Sequence, residues 1–297
     1  MKAHSRWKAL RSKAETAGEV CSVKNSEGSL PVCLKSIALE RKVRDVVFRP
    51  LLIDACLGVR HDGFVIFVKC SKQRSTALTK AFESSPCSGY FLPNRTRFSI
   101  AHEIAHTFFF NLDSSPPASD VELRKTRSID ALETACNEIA RRLLLPKALF
   151  LPELGKINVL NPQALRALAR KAAVSTDVFT LRLNQLFDWT SILGGILCIR
   201  EEVNGPKILS MSMHSALRPH FNHLARNSSL GSILSSKDFI LNGGRKLEMP
   251  FEIPCQVGNR KAFQRVFFRC EDAPQNANST RFVTFERQGD LQFADLV

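Results

Sequence analysis

No uncharged apolar run in the 297 residues approaches the roughly 18 needed to cross a bilayer, so no membrane-spanning helix is expected. The basic start (Lys2, Arg6, Lys8, Arg11, Lys13) is not followed by an apolar stretch or a small-residue cleavage site. Secretion is therefore not expected, and a cytoplasmic location is. The nine cysteines (21, 33, 56, 70, 87, 136, 198, 255 and 270) are odd in number and never spaced C-x-x-C. That argues against a disulfide framework or a cysteine-based zinc site and for reduced thiols, mostly core filler. Internal repeats and long low-complexity tracts are also missing. Acidic residues are in short supply, 28 against 42 basic ones, for a net charge of +14. Long-range attraction to acidic partners, DNA included, follows from that excess, although charge alone does not say which face carries it.

What is present is enough for two domains: 44% of residues are apolar, sufficient to fill a core. Residues 1–30 are polar and rich in Lys and Ser, with a loop signal at Asn25-Ser26-Glu27-Gly28-Ser29; they read as a flexible basic arm. A helix is predicted over 34–45, and the β-branched and aromatic run over 63–70 reads as a strand. Thr96 or Ser99 can cap a helix reaching residue 110, and a second helix is predicted over 130–145, stopped by Pro146. Residues 162–186 are again helical in pattern, broken at Ala173-Val174-Ser175. After Trp189 short alternating or apolar segments separated by Asn, Gly, Pro and Ser clusters predict a β-rich or α+β region.

The chemistry is concentrated in His102-Glu103-Ile104-Ala105-His106. Positions i and i+4 lie on one helical face, so the two imidazoles can be offered to one ion. Glu103, on the adjoining flank, can reach a metal-bound water without being a ligand. Zinc held this way polarises a scissile carbonyl, and the carboxylate moves the proton to the leaving amine. The pattern thus points to amide hydrolysis. Sites of two histidines and one carboxylate also accept manganese or iron, and zinc is the default for this helix motif.

A catalytic zinc takes three protein ligands and keeps one open position. Asp113, Glu122, Asp130 and Glu133 are the nearby acidic candidates for the third. The long metzincin motif is excluded, because Phe109 and Leu112 stand where its Gly and third His would be. Glu133, in the first turn of the second predicted helix, is the best placed. Asp130-x-x-Glu133 also reads as a capping box, and spacing does not separate the two roles. Tyr90, the only tyrosine, and Arg97 are candidate helpers for the developing oxyanion. His214, His220 and His223 lie in the C-terminal region and read as surface or internally satisfied histidines.

Arg97-Phe98-Ser99-Ile100-Ala101-His102-Glu103-Ile104-Ala105-His106, followed by Glu133-Thr134-Ala135-Cys136-Asn137 and Leu143-Leu144-Leu145-Pro146, resembles the ImmA/IrrE family of bacterial metallo-endopeptidases over about residues 34–187. The resemblance implies zinc held by His102, His106 and Glu133, with Glu103 as general base. It implies as substrate a helix-turn-helix transcriptional repressor, whose cleavage derepresses stress or mobile-element genes. One departure is Glu138-Ile139 in place of a commoner aromatic-containing pair. The expected fold is α+β, a mainly helical zincin-like core with a small sheet at 31–155. A helix-turn-helix-like segment at 156–190 and a regulatory or recognition domain at 191–297 follow, the latter GAF-like by analogy with IrrE-like proteins.

Leu168-Ala169-Arg170-Lys171-Ala172-Ala173-Val174-Ser175 looks like the turn of a helix-turn-helix, with Ala173 in the glycine position. Thr176, Asp177, Thr180 and Arg182 are predicted as the exposed face of its second helix, thin for a DNA reader. A structural or substrate-docking role is favoured, with DNA a secondary partner. The competing readings are a DNA-binding regulator with a vestigial or structural metal site, and a toxin-antitoxin component.

Overall fold

The computed structural model describes residues 2–83, 92–120, 129–189, 194–202, 205–213, 215, 249–257, 260–270, 280–287 and 292–293. Two compact units divide the chain: Met1–Pro152 with Arg170–Ser175, and Glu153–Ala169 with Thr176–Val297. Both combine helix and sheet, which makes the protein α+β as expected. The second unit begins well before the boundary predicted near residue 190.

The first unit contains α1 (Lys2–Lys24), α2 (Leu34–Glu40), β1 (Val43–Arg49), β2 (Ala55–Arg60), β3 (Gly63–Lys69), α3 (Lys72–Glu83) and α4 (Asn94–Thr107). After α4 come the short strands β4 (Phe110–Asn111) and β5 (Ala118–Ser119), then α5 (Ile129–Leu144) and α6 (Lys147–Leu154), whose last two residues group with the second unit. Its three-stranded sheet is ordered β1-β3-β2, with β1 parallel and β2 antiparallel to β3. The central strand β3 is almost wholly buried, which is why it reads as a continuous apolar run rather than an alternation. β2 is left at the edge beside α4.

The helix predicted over 34–45 stops at Glu40. Val43, Val46 and Val47 are β-branched and pair with β3 instead, a tertiary partner outweighing the local pattern. The reversal passes through Lys42, at φ 57°. The Phe64 amide donates to the Lys42 carbonyl at 2.8 Å. A Cβ on Gly63 would meet that carbonyl oxygen at 2.1 Å, so the approach requires glycine. Next to this turn the Arg41 guanidinium donates to the Thr107 hydroxyl (3.1 Å) and carbonyl (2.7 Å) and lies 4.2 Å over the Phe108 ring. It thereby satisfies the C-terminal end of α4.

The segment expected to be a flexible arm is a helix over most of its length. α1 packs on α5 through a stripe of small residues: Ala14, Gly18, Cys21 and Ser22 are buried. A Cβ on Gly18 would stand 2.9 Å from Ile139 Cγ2. The Ser22 hydroxyl donates to the Leu143 carbonyl at 2.6 Å, Arg142 pairs with Glu15 at 2.9 Å, and Trp7 stacks on Phe109 at 5.8 Å. Small side chains carry little hydropathy signal, so a stripe that works by letting backbones approach is invisible to apolar periodicity.

Among its described residues the second unit contains α7 (Pro162–Lys171, whose last two residues group with the first unit), α8 (Thr176–Leu186) and six strands. These are β6 (Gly194–Glu202), β7 (Gly205–Met213), β8 (Met249–Val257), β9 (Arg260–Cys270), β10 (Thr280–Arg287) and β11 (Gln292–Phe293). The sheet runs β11-β9-β10-β6-β7, and β8 also pairs with β9. The break between α7 and α8 falls where the sequence placed it, with Ala173 in the left-handed region at φ 52°.

Of the α8 face expected to be exposed, only Asp177 is partly so. Thr176, Thr180 and Arg182 are only 6%, 0% and 1% exposed. Phe179 on the same helix contacts Phe282 at 5.6 Å, and the Cys198 thiol donates to the Thr176 hydroxyl at 3.3 Å. The polar pattern at this position belongs to a helix-sheet interface, the structural role favoured over DNA reading. Among the described residues no helix is long and apolar enough to cross a membrane.

Candidate metal centre

α4 turns Ile100, Ala101, Ile104 and Ala105 into the core, which leaves His102 and His106 side by side along a cleft of about 600 Å³. Their ring centroids are 4.9 Å apart, and the two Nε2 atoms are separated by 3.2 Å. α5 packs across α4 and brings the Glu133 carboxylate to the same point. One oxygen lies 3.0 Å from His102 Nε2 and the other 3.5 Å from His106 Nε2. The two imidazoles thus face one carboxylate, each approached by a different oxygen. Ligands about 2.0–2.2 Å from a tetrahedral zinc stand about 3.3 Å from one another, so this donor set fits such an ion with one position open.

Donor atoms of His102, Glu103 and His106 also all lie within 4.8 Å of one another. Of the two carboxylates, Glu133 is the one touching both imidazoles, whereas Glu103 accepts a hydrogen bond from the Leu57 backbone N–H of β2. That tether holds Glu103 beside the three donor groups and against the sheet edge. Burial pushes the Glu103 carboxyl up to about 7, the Glu133 charge adds to the rise, and the Leu57 N–H opposes it. Burial likewise lowers His106 to about 4, helped by the His102 charge and opposed by Glu133. A neutral imidazole beside a carboxyl that titrates near 7 suits metal binding and proton transfer near neutrality.

The remaining ring nitrogens are also occupied. His102 Nδ1 lies 2.9 Å from Asn137 Oδ1, and His106 Nδ1 lies 3.3 Å from Cys136 Sγ. Burial first, then the charges of Glu133 and Glu103, raise the Cys136 thiol far above its ordinary range, which keeps it protonated. Sequence reading did not give Asn137, Cys136 or Leu57 a part in the site. The signal for the first two was available: they stand three and four residues after Glu133, on its helical face.

Other candidates fare differently. Asp113 is exposed in the turn after β4 and Asp130 is exposed in the first turn of α5; neither lines the cleft. Tyr90, Glu122, His214, His220 and His223 lie outside the described residues. Arg97 is not an oxyanion helper. Its side chain is fully buried and donates to the carbonyls of Ala173 and Val32, each at 3.2 Å. Five residues before His102, it stands about 140° round the helix from the metal-facing side.

An α+β unit with a His-Glu-x-x-His helix and a carboxylate from a crossing helix is the architecture of a metallopeptidase-type domain. Residues 90–184 match the peptidase family described as the IrrE N-terminal-like domain. That match agrees with the ImmA/IrrE resemblance of the motifs. Among solved structures, a Mycobacterium tuberculosis transcriptional regulator aligns at TM-score 0.45 and 15% identity, covering 92% of this chain and 74% of that one. No curated protein matches the chain.

Proposed function

We propose that the protein is a zinc-dependent metallo-endopeptidase of the cytoplasm, with His102, His106 and Glu133 as metal ligands and Glu103 as general base. The observation that carries this reading is the convergence of two Nε2 atoms 3.2 Å apart on the Glu133 carboxylate, whose oxygens lie 3.0 Å from one and 3.5 Å from the other, in a cleft with Glu103 tethered beside them. A bound zinc would supply Lewis acidity and an activated water. Glu103 takes a proton from the nucleophile and returns it to the leaving amine, a role suited to a carboxyl near 7. Its tether to Leu57 keeps it aimed at the reacting centre.

The substrate is a protein segment in extended form, laid along the edge strand β2, several of whose residues line the cleft. The ImmA/IrrE resemblance suggests a helix-turn-helix repressor as the source of that segment, and we assign regulation or recognition to the C-terminal sheet unit. With Thr176, Thr180 and Arg182 of α8 covered, duplex binding keeps only the net charge in its favour.

The test is metal content after zinc loading and desalting. Wild type and Glu103→Gln should each retain about one zinc, and His102→Ala, His106→Ala and Glu133→Ala should lose it. A zinc-free wild type under reducing conditions would overturn the assignment.

A further inference from the structure

α5 does more at this site than deliver Glu133. Within one turn it presents Glu133 to the Nε2 side of both imidazoles, Cys136 to Nδ1 of His106 and Asn137 to Nδ1 of His102. The two Nδ1 partners are chemically unequal. An amide oxygen at 2.9 Å is a full-strength acceptor for an imidazole N–H, whereas a thiol sulfur at 3.3 Å is a weak one. A neutral imidazole has a single N–H, so an acceptor at Nδ1 places the proton there and leaves the Nε2 lone pair for an ion.

Resting on the metal-centre reading above, we propose that Asn137 is a positioning residue that holds His102 as an Nε2 donor. By the same geometry His106 is the loosely held ligand, restrained at Nδ1 among the described residues by Cys136 alone. The asymmetry arises because the residues at i+3 and i+4 of one helix face the two rings with different side chains. Backbone geometry alone would treat the rings alike.

The experiment is zinc affinity by competition with a chromophoric chelator, together with the visible absorption of the cobalt-substituted protein. It uses the full chain as wild type, Asn137→Ala, Asn137→Asp and Cys136→Ala. Loss of an acceptor behind a metal-bound imidazole weakens binding on the order of ten- to a hundred-fold. Asn137→Ala should fall in that range with an altered cobalt spectrum. Asn137→Asp, of the same shape and a stronger acceptor, should bind as tightly as wild type or more so. Cys136→Ala should change affinity by less than about threefold, in keeping with a weak sulfur acceptor.

Rescue by Asp separates positioning from packing, since both variants disturb the helix but only one lacks the acceptor. Wild-type affinity in Asn137→Ala, or equal weakening in Ala and Asp, overturns the proposal while leaving the metal centre standing. A wild type that takes up no zinc overturns the metal reading itself and this inference with it. Thermal unfolding in chelator shows whether Asn137→Ala is folded; if it is not, Asn137→Asp against wild type still decides, because affinity below wild type in Asp contradicts the acceptor role.

Discussion

Replacing Glu103 by Gln should make the metal-free protein sensitive to mild acid, because Glu103 and His106 titrate against each other. Glu103 is raised by burial from 4.5 to about 7, so the folded state takes its proton first. Its contribution to stability is full below pH 4.5 and lost as pH rises through 7. His106 is lowered from 6.5 to about 4, so the unfolded state takes its proton first. Its contribution is present above pH 6.5 and lost as pH falls through 4. Each amounts to on the order of 3 kcal/mol over its window, with opposite sign, so the two nearly cancel in the wild type. With Gln at 103 only the histidine remains, and between pH 7.5 and 5 the variant should lose about 2–3 kcal/mol relative to wild type, which is the Glu103 contribution over that range. Urea unfolding in excess chelator at the two pH values reads this difference, and comparing variant with wild type cancels the titration of carboxyls that do not interact with Glu103. Parallel pH dependence in the two proteins would refute the opposed-titration argument.

Other substitutions probe the packing around the site. Gly18→Val should push α1 off Ile139 and cost about 1–3 kcal/mol in urea unfolding, while Val20→Ala, at a position 62% exposed, should stay within about 0.5 kcal/mol. Arg97→Met should lower stability by about 1–3 kcal/mol for each buried carbonyl left without a donor. It should leave zinc affinity unchanged, and a folded variant with weakened zinc binding would contradict the orientation of that side chain. Arg182→Ala should lower the unfolding free energy by several kcal/mol as a buried charge-bearing side chain is lost. A change in duplex DNA affinity without a change in stability would show that its face is accessible after all.

The reach of sequence reasoning here follows the range of the interactions. The strand at Gly63–Lys69, the helix carrying His102 and His106, the stop at Pro146 and the break at Ala173 are all set by neighbours within a few residues. Periodicity and turn chemistry report such features directly. For the same reason the two histidines and Glu103 are legible in five consecutive letters, since i and i+4 share a face in any α-helix.

What only tertiary structure decided involves partners far apart in the chain. Whether Glu133 caps its own helix or faces the histidines depends on how α5 crosses α4, and the crossing brings its carboxylate within 3.0 Å of His102. The same crossing recruits Asn137 and Cys136. α1 is ordered by a small-residue seam against α5, 121 residues away at the Ser22–Leu143 contact, and small residues leave no hydropathy signature. The direction of Arg97 and the burial of Thr180 and Arg182 likewise depend on where distant carbonyls and strands come to lie. The sequence by itself determined which residues can do the chemistry, because that is local stereochemistry. Only close packing of non-local elements determined which of the polar side chains were brought to it and which were spent on holding the fold.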